Sequence, residues 1–101
     1  MKKTIALFLQ PGPNWDHSKG VREQEYWDEH ARFVDELFAR GLIMLAGPFA
    51  PEGTGALVIL NVDSVEEARA IYSNDPWARQ GILLAVDAKE WTIFLDANQP
   101  S

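Results

Sequence analysis

The chain has 101 residues, of which 47% are hydrophobic and none is cysteine. This length allows one domain, and the lack of cysteine excludes disulfides, thiolate zinc sites and a thiol nucleophile. The 15 acidic and 9 basic residues give a net charge of −6, which disfavours nucleic acid and anionic membranes as partners. Any catalytic chemistry would therefore depend on histidine, carboxylate or hydroxyl groups.

The N-terminal segment predicts a β-strand. An apolar run at 4–9 follows Met-Lys-Lys and is ended by Gln-Pro-Gly-Pro at 10–13. The run is too short for the apolar core of a signal peptide, and the chain lacks any run near the roughly 18 apolar residues that a membrane span needs. We therefore expect a cytoplasmic protein with a loop at 11–20.

Residues 21–40 have the spacing of an amphipathic helix, and Gly41 is suited to end it. His30 lies on the apolar stripe of this helix, so its side chain should point towards a sheet and away from solvent. Two interpretations fit this position: a core histidine satisfied by one hydrogen bond, and an acid–base histidine whose pKa a neighbouring carboxylate brings near neutrality.

The following segments predict a hairpin and a second helix. Strand-like runs at 42–49 and 56–62 flank a Pro- and Gly-containing connection. Ser64 and Glu67 have the spacing of a capping box, which opens a helix ending near Ser73.

The C-terminal third begins with a second helix start. Asp75, followed directly by proline, predicts the N-cap of a short helical turn. A last strand is expected over 82–95, and its irregular alternation at 87–90 predicts a β-bulge.

This order predicts an α+β fold of the ferredoxin-like βαββαβ type over 1–97, with a four-stranded antiparallel sheet, both helices on one face and a flexible tail at 98–101. The central strand residues 42–46 and 56–60 are apolar on both faces. Because two helices cover only one face, we expect a homodimer that packs sheet against sheet through the open face, with a barrel-like core.

Three features in this order resemble the YCII-related family. They are a histidine in the middle of the first helix, Leu-Ala-Gly-Pro at 45–48, and Asn-Asp-Pro-Trp at 74–77. The resemblance implies a dimeric α+β barrel and a His–Asp active site, which corresponds to His30 and Asp75. A dehydrochlorinase that acts on a chlorinated hydroxyquinol belongs to this family.

A pocket around this pair would be lined by aromatic and small residues, with an arginine for an anionic group. The residues expected to bind substrate are Arg22, Tyr26, Trp27, Gly47, Pro48 and Trp77, and the 11–20 loop adds Trp15, Asp16 and His17 near its mouth. Core packing alone also accounts for Trp27 and Trp77. Asp16, His17 and His30 lack a metal-ligand spacing, and no phosphate loop is present, so neither metal nor cofactor is predicted.

The leading hypothesis is a cofactor-independent enzyme in which Asp75 orients His30 for acid–base chemistry on a small cyclic or aromatic molecule, by elimination, dehydrochlorination or isomerisation. Two alternatives share the same pocket. One is a non-catalytic module that binds or senses a small molecule, and the other is a cofactor-free monooxygenase or lactone isomerase on the same fold.

Overall fold

The computed structural model describes residues 1–98, and within them the predicted α+β class and strand order are confirmed. A 3₁₀ turn at Val21–Glu23 follows the first strand. The strands and helices are β1 (Lys3–Pro11), α1 (Trp27–Ala39), β2 (Ile43–Pro48), β3 (Ala56–Val62), α2 (Val65–Tyr72), α3 (Pro76–Arg79) and β4 (Leu83–Glu90).

The four strands form one antiparallel sheet in the order β2-β3-β1-β4, as in ferredoxin-like folds. The central strand β1 pairs with both β3 and β4, and its Leu7 lies opposite Val58 and Ala88. Because side chains alternate across a strand, this register assigns every second residue of β1 to the same face.

One face of the sheet packs against the helices and forms the core. Buried strand residues such as Ile5, Leu7 and Leu60 join one apolar cluster with Leu37 of α1 and Trp77 of α3. Each large apolar side chain buried in this way contributes about 1.5–3 kcal/mol to folding. The candidate site described below lies on this helix-covered face.

The first helix is shorter than its periodicity predicts. It begins at Trp27 and not near residue 21, because Tyr26 adopts a left-handed backbone conformation with φ 62° and separates the 3₁₀ turn from α1. The buried Gln24 amide donates to the backbone carbonyls of Asp16 and Lys19. Side-chain bonds to the preceding loop therefore hold this segment in a non-helical conformation.

The last strand is also shorter than predicted, since β4 ends at Glu90 and not at residue 95. Pairing with β1 ends where Glu90 lies opposite Ile5, and the Trp91 amide donates one further hydrogen bond to the Thr4 carbonyl. The register shifts between Ala85 and Asp87, directly before the predicted bulge. Residues 99–101 of the predicted tail lie outside the described residues.

The second face of the sheet carries apolar side chains that no described helix covers. We call it the open face and define it by Ala6, Phe8, Leu45, Leu57 and Ile59, which are paired across the sheet and alternate with the core residues. Leu45 is 69% exposed. In the part of the chain that the structure describes, no helix has the length and apolarity to span a membrane.

Candidate active site

Two residues 45 positions apart form a buried pair. His30 lies in the first turns of α1, and its Nδ1 is 2.9 Å from both carboxylate oxygens of Asp75. The His30 side chain is 11% exposed and the Asp75 side chain only 2%. The ring is therefore bound at one nitrogen by a carboxylate that is shielded from solvent.

Asp75 is held in place by the start of α3. It is the N-cap residue, and its Oδ1 accepts a hydrogen bond of 3.0 Å from the Trp77 amide. Its own amide donates to the Tyr72 carbonyl at the end of α2. The carboxylate thus caps a helix and contacts the imidazole at the same time, so the two interpretations of Asp75 are compatible.

Two tryptophans fix the plane of the imidazole. The Trp77 ring stacks on the His30 ring with centroids 3.8 Å apart and planes 7° from parallel. Trp77 is itself anchored because its Nε1 donates to the Glu25 carbonyl at 2.7 Å. Trp27 lies 5.7 Å from both rings. Packing and hydrogen bonding together restrict His30 to one orientation.

The other imidazole nitrogen is free to act on a ligand. An ionised carboxylate can only accept hydrogen bonds, so the pairing assigns the proton of a neutral His30 to Nδ1 and leaves a lone pair on Nε2. Among the described residues, Nε2 has no hydrogen-bond partner, and His30 borders a cavity.

The cavity has a volume of about 360 Å³ and lies between α1 and the core face of the sheet. Apolar side chains make up most of its wall, including Leu9, Trp15, Val34, Val58 and Leu83. Ligand pockets usually measure about 300–1,000 Å³, and an apolar cavity of about 150 Å³ is enough for benzene. The space therefore suits a small molecule of one substituted ring.

Most residues expected to bind substrate line this cavity, namely Arg22, Trp27, Gly47, Pro48 and Trp77. Tyr26 does not line it: the structure places this residue at a separate polar depression beside Asp16 and Gln24. Its left-handed conformation at the start of α1 turns the chain at this point. Asp75 lies behind His30 and does not line the cavity itself.

The 11–20 loop contributes one wall of the site. Trp15 lines the cavity and contacts Trp77 edge to face, with centroids 5.7 Å apart. Asp16 instead accepts bonds from the Ser18 hydroxyl and amide, and these bonds lower the pKa of Asp16 from its ordinary value. Within residues 1–98, no three histidine, cysteine, aspartate or glutamate side chains are arranged to hold a metal ion.

Sequence reasoning missed two groups of lining residues. The first consists of sheet residues such as Leu9 and Val58, which strand alternation placed in the core without indicating a cavity above them. The second is Tyr72 at the end of α2, which borders the cavity although its helical spacing assigned it to the apolar face of α2. The sequence position of Tyr72 could have indicated this role. Tyr72 ends α2 only three residues before Asp75, the N-cap of α3, so the two residues must lie close together.

The chain belongs to the YCII-related family. The YCII-related domain matches residues 6–92, which include both residues of the His–Asp pair and all four strands except the first residues of β1. The resemblance predicted from the sequence motifs is thereby confirmed.

A relative and a solved structure are similar to this chain. The uncharacterized protein YjpA of Bacillus subtilis (strain 168) is 34% identical over 70 residues, which cover 69% of this chain and 80% of that protein. The 5-chloro-2-hydroxyhydroquinone dehydrochlorinase TftG of Burkholderia phenoliruptrix AC1100, in complex with 2,5-dihydroxybenzoquinone, matches with a TM-score of 0.69 at 22% identity. That match covers 88% of this chain and 93% of TftG and shows a shared fold.

Proposed function

We propose that this chain is a cofactor-independent enzyme in which His30 exchanges a proton with a small cyclic or aromatic molecule. One observation carries the proposal: Asp75 holds His30 Nδ1 at 2.9 Å while Nε2 is left without a protein partner at an apolar cavity. A general base of this kind must be oriented and must keep a free lone pair at the substrate. Trp77, stacked on the ring, adds to the orientation.

The chemistry follows from this arrangement. His30 Nε2 accepts a proton from the bound molecule, and the buried carboxylate of Asp75 stabilises the imidazolium that forms. In an elimination such as dehydrochlorination, the electron pair of the broken bond to hydrogen forms the new double bond, and chloride leaves with its own bonding pair. In an isomerisation, His30 returns the proton to a different atom.

The cavity favours an aromatic or quinone-like substrate. Its volume suits a single ring, and the partly exposed Trp27 offers a ring surface against which a flat molecule can pack. Arg22 lines the same cavity and would pair with an anionic substituent. TftG, on the same fold, is a dehydrochlorinase described with a bound quinone, which supports the choice of a chlorinated hydroquinone as first substrate.

The direct test is turnover of 5-chloro-2-hydroxyhydroquinone by the native protein without added metal or cofactor, followed as chloride release. We expect release well above the rate in buffer. Binding of this molecule without release of chloride would favour the alternative of a binding or sensing module. Oxygen consumption that accompanies turnover would favour the monooxygenase alternative.

We also propose that two copies of the chain pack together through the open face. This face has apolar residues on three neighbouring strands. Leu45 is largely exposed in the single chain and Phe8 and Leu57 are partly exposed, whereas Ala6 and Ile59 are already buried. Burial of such a contiguous patch is the usual function of an apolar surface on a small domain. A second copy offers a surface of the same shape and polarity, which two-fold symmetry pairs with itself.

The replacement Leu45→Asp is expected to convert the native dimer into a monomer, because it would place a charge within an apolar contact. Phe38 on α1 is 62% exposed and lies on the helix-covered side, so Phe38→Asp serves as the matched control and should remain dimeric. The measurement is molecular mass by light scattering after size exclusion. A monomeric native protein, or equal effects of both changes, would contradict the proposed interface.

A further inference from the structure

A second polar group borders the cavity and is not used by the His–Asp pair. Tyr72, the last residue of α2, is only 3% exposed and lines the same cavity as His30. Its ring packs edge to face against Phe33, with centroids 5.7 Å apart. This contact holds the phenol ring in a fixed position.

The hydroxyl of Tyr72 lacks a partner within the protein. Across residues 1–98, no side-chain or backbone group forms a hydrogen bond with this hydroxyl, although a buried phenol usually finds one. None of the fully enclosed side-chain nitrogen and oxygen atoms there is without a partner. It follows that the hydroxyl is not fully enclosed, and Tyr72 borders the cavity.

The surroundings keep this hydroxyl protonated. Burial, together with the nearby Asp75 carboxylate, raises the pKa of Tyr72 well above its ordinary value. A phenol in this state does not act as a base near neutral pH, but it donates one hydrogen bond. The cavity therefore has a lone pair at His30 Nε2 and a donor at Tyr72.

We propose that the Tyr72 hydroxyl donates a hydrogen bond to a substrate oxygen on which negative charge develops while His30 removes a proton. This inference rests on the proposed function and adds a substrate class to it: ring compounds with a hydroxyl or carbonyl oxygen conjugated to the reacting carbon. When the proton moves to Nε2, the electron pair is delocalised onto that oxygen as a phenolate or enolate, and the departing group leaves from this intermediate. A preorganised donor aimed at such an oxygen is a strong source of rate enhancement.

The test compares the native protein with Tyr72→Phe, which removes only the hydroxyl. The probe is 4-nitrophenol at a pH where the free molecule is the phenolate, and the matched control ligand is 4-nitrotoluene, which has a methyl group in place of the oxygen. We expect Tyr72→Phe to weaken phenolate binding tenfold or more, as loss of a hydrogen bond to a charged oxygen should. Binding of 4-nitrotoluene should stay the same.

A thermal unfolding measurement separates this role from a structural one. Because the hydroxyl bonds to nothing in the protein, Tyr72→Phe should leave the melting temperature unchanged or raise it. A lower melting temperature with unchanged phenolate binding would overturn the inference. So would native protein that fails to bind the phenolate.

Failure of the proposed function gives a different result. If Tyr72 binds the oxygen but His30 is not a base, phenolate affinity will depend on Tyr72 while no chlorinated hydroquinone is turned over. If His30 is the base but Tyr72 is only a packing residue, Tyr72→Phe will retain both phenolate binding and native turnover. The two proposals are thus tested independently.

Discussion

Asp75→Asn should lower kcat/KM for the proposed substrate, 5-chloro-2-hydroxyhydroquinone, about 10²–10⁴-fold while the fold remains intact. Asparagine keeps the side-chain oxygen that caps α3, and asparagine and aspartate are about equally good N-cap residues. The oxygen that accepts from the Trp77 amide at 3.0 Å can therefore stay in place.

The expected loss of kcat/KM comes from replacing the second carboxylate oxygen of Asp75 by an NH₂ group. With its oxygen bound to the Trp77 amide, the asparagine places its NH₂ group at one of the two positions, each 2.9 Å from His30 Nδ1, where Asp75 presents an acceptor. A donor at that position favours the tautomer with the proton on Nε2. The lone pair then points away from the cavity, and the imidazolium loses its stabilising charge. A comparable change in serine proteases costs about 10⁴-fold.

Asp63→Asn is the matched control for this change. Asp63 is exposed and does not line the cavity, and among the described residues its carboxylate forms only long contacts of 3.9 Å with the N-terminus and Lys2. Its replacement should leave turnover unchanged. If Asp75→Asn retained full activity under the conditions in which the native protein turns over the substrate, the pairing would have no role in the reaction.

His30→Asn is expected to reduce turnover by about 10²–10⁴-fold, the usual contribution of a positioned general base. Asparagine is chosen in preference to alanine because its NH₂ group can replace Nδ1 as a donor to Asp75. Alanine would leave the buried carboxylate with only its hydrogen bond from the Trp77 amide, at a cost of several kcal/mol in stability. The asparagine variant thus removes Nε2 while the hydrogen bond at the far side of the ring is kept.

His17→Asn provides the control, since His17 is an exposed histidine in the 11–20 loop and does not line the cavity. It should show native turnover and native affinity for the substrate. Equal loss of turnover in the two variants would indicate an effect on the loop. Full turnover by His30→Asn would exclude His30 as the base.

The buried pair is easier to explain by function than by stability. A buried carboxylate often contributes little to folding, because removing a charged group from water costs about as much as its hydrogen bonds return. Here the pair lies next to a cavity, and a void in an apolar core also reduces stability. Two costly features at one place are typical of a site that is maintained for its chemistry.

Much of the fold was predictable because it depends on local patterns. The short apolar runs of β1 and β3, the capping box at Ser64 and the Asp75 cap all correspond to observed elements. The errors lie where a non-local contact decides the structure. The start of α1 depends on Gln24 bonds to the loop, and the end of β4 depends on where its pairing with β1 stops.

The site was predictable only in part. Helical spacing indicated that His30 points inward, but the distance to Asp75 depends on how α3 docks beside α1, which no local pattern determines. Only the family motifs indicated that pairing. The cavity itself, the position of Tyr26 outside it and the unpartnered hydroxyl of Tyr72 depend on three-dimensional packing and left no signal in the spacing of residues.

The central claim is that Asp75 holds His30 with its proton on Nδ1 and its lone pair at the cavity. The ¹⁵N chemical shifts of the imidazole nitrogens measure this directly at a pH where the ring is neutral. We predict a protonated Nδ1 and a bare Nε2 in the native protein, with the assignment reversed in Asp75→Asn. A native ring protonated at Nε2 would contradict the account.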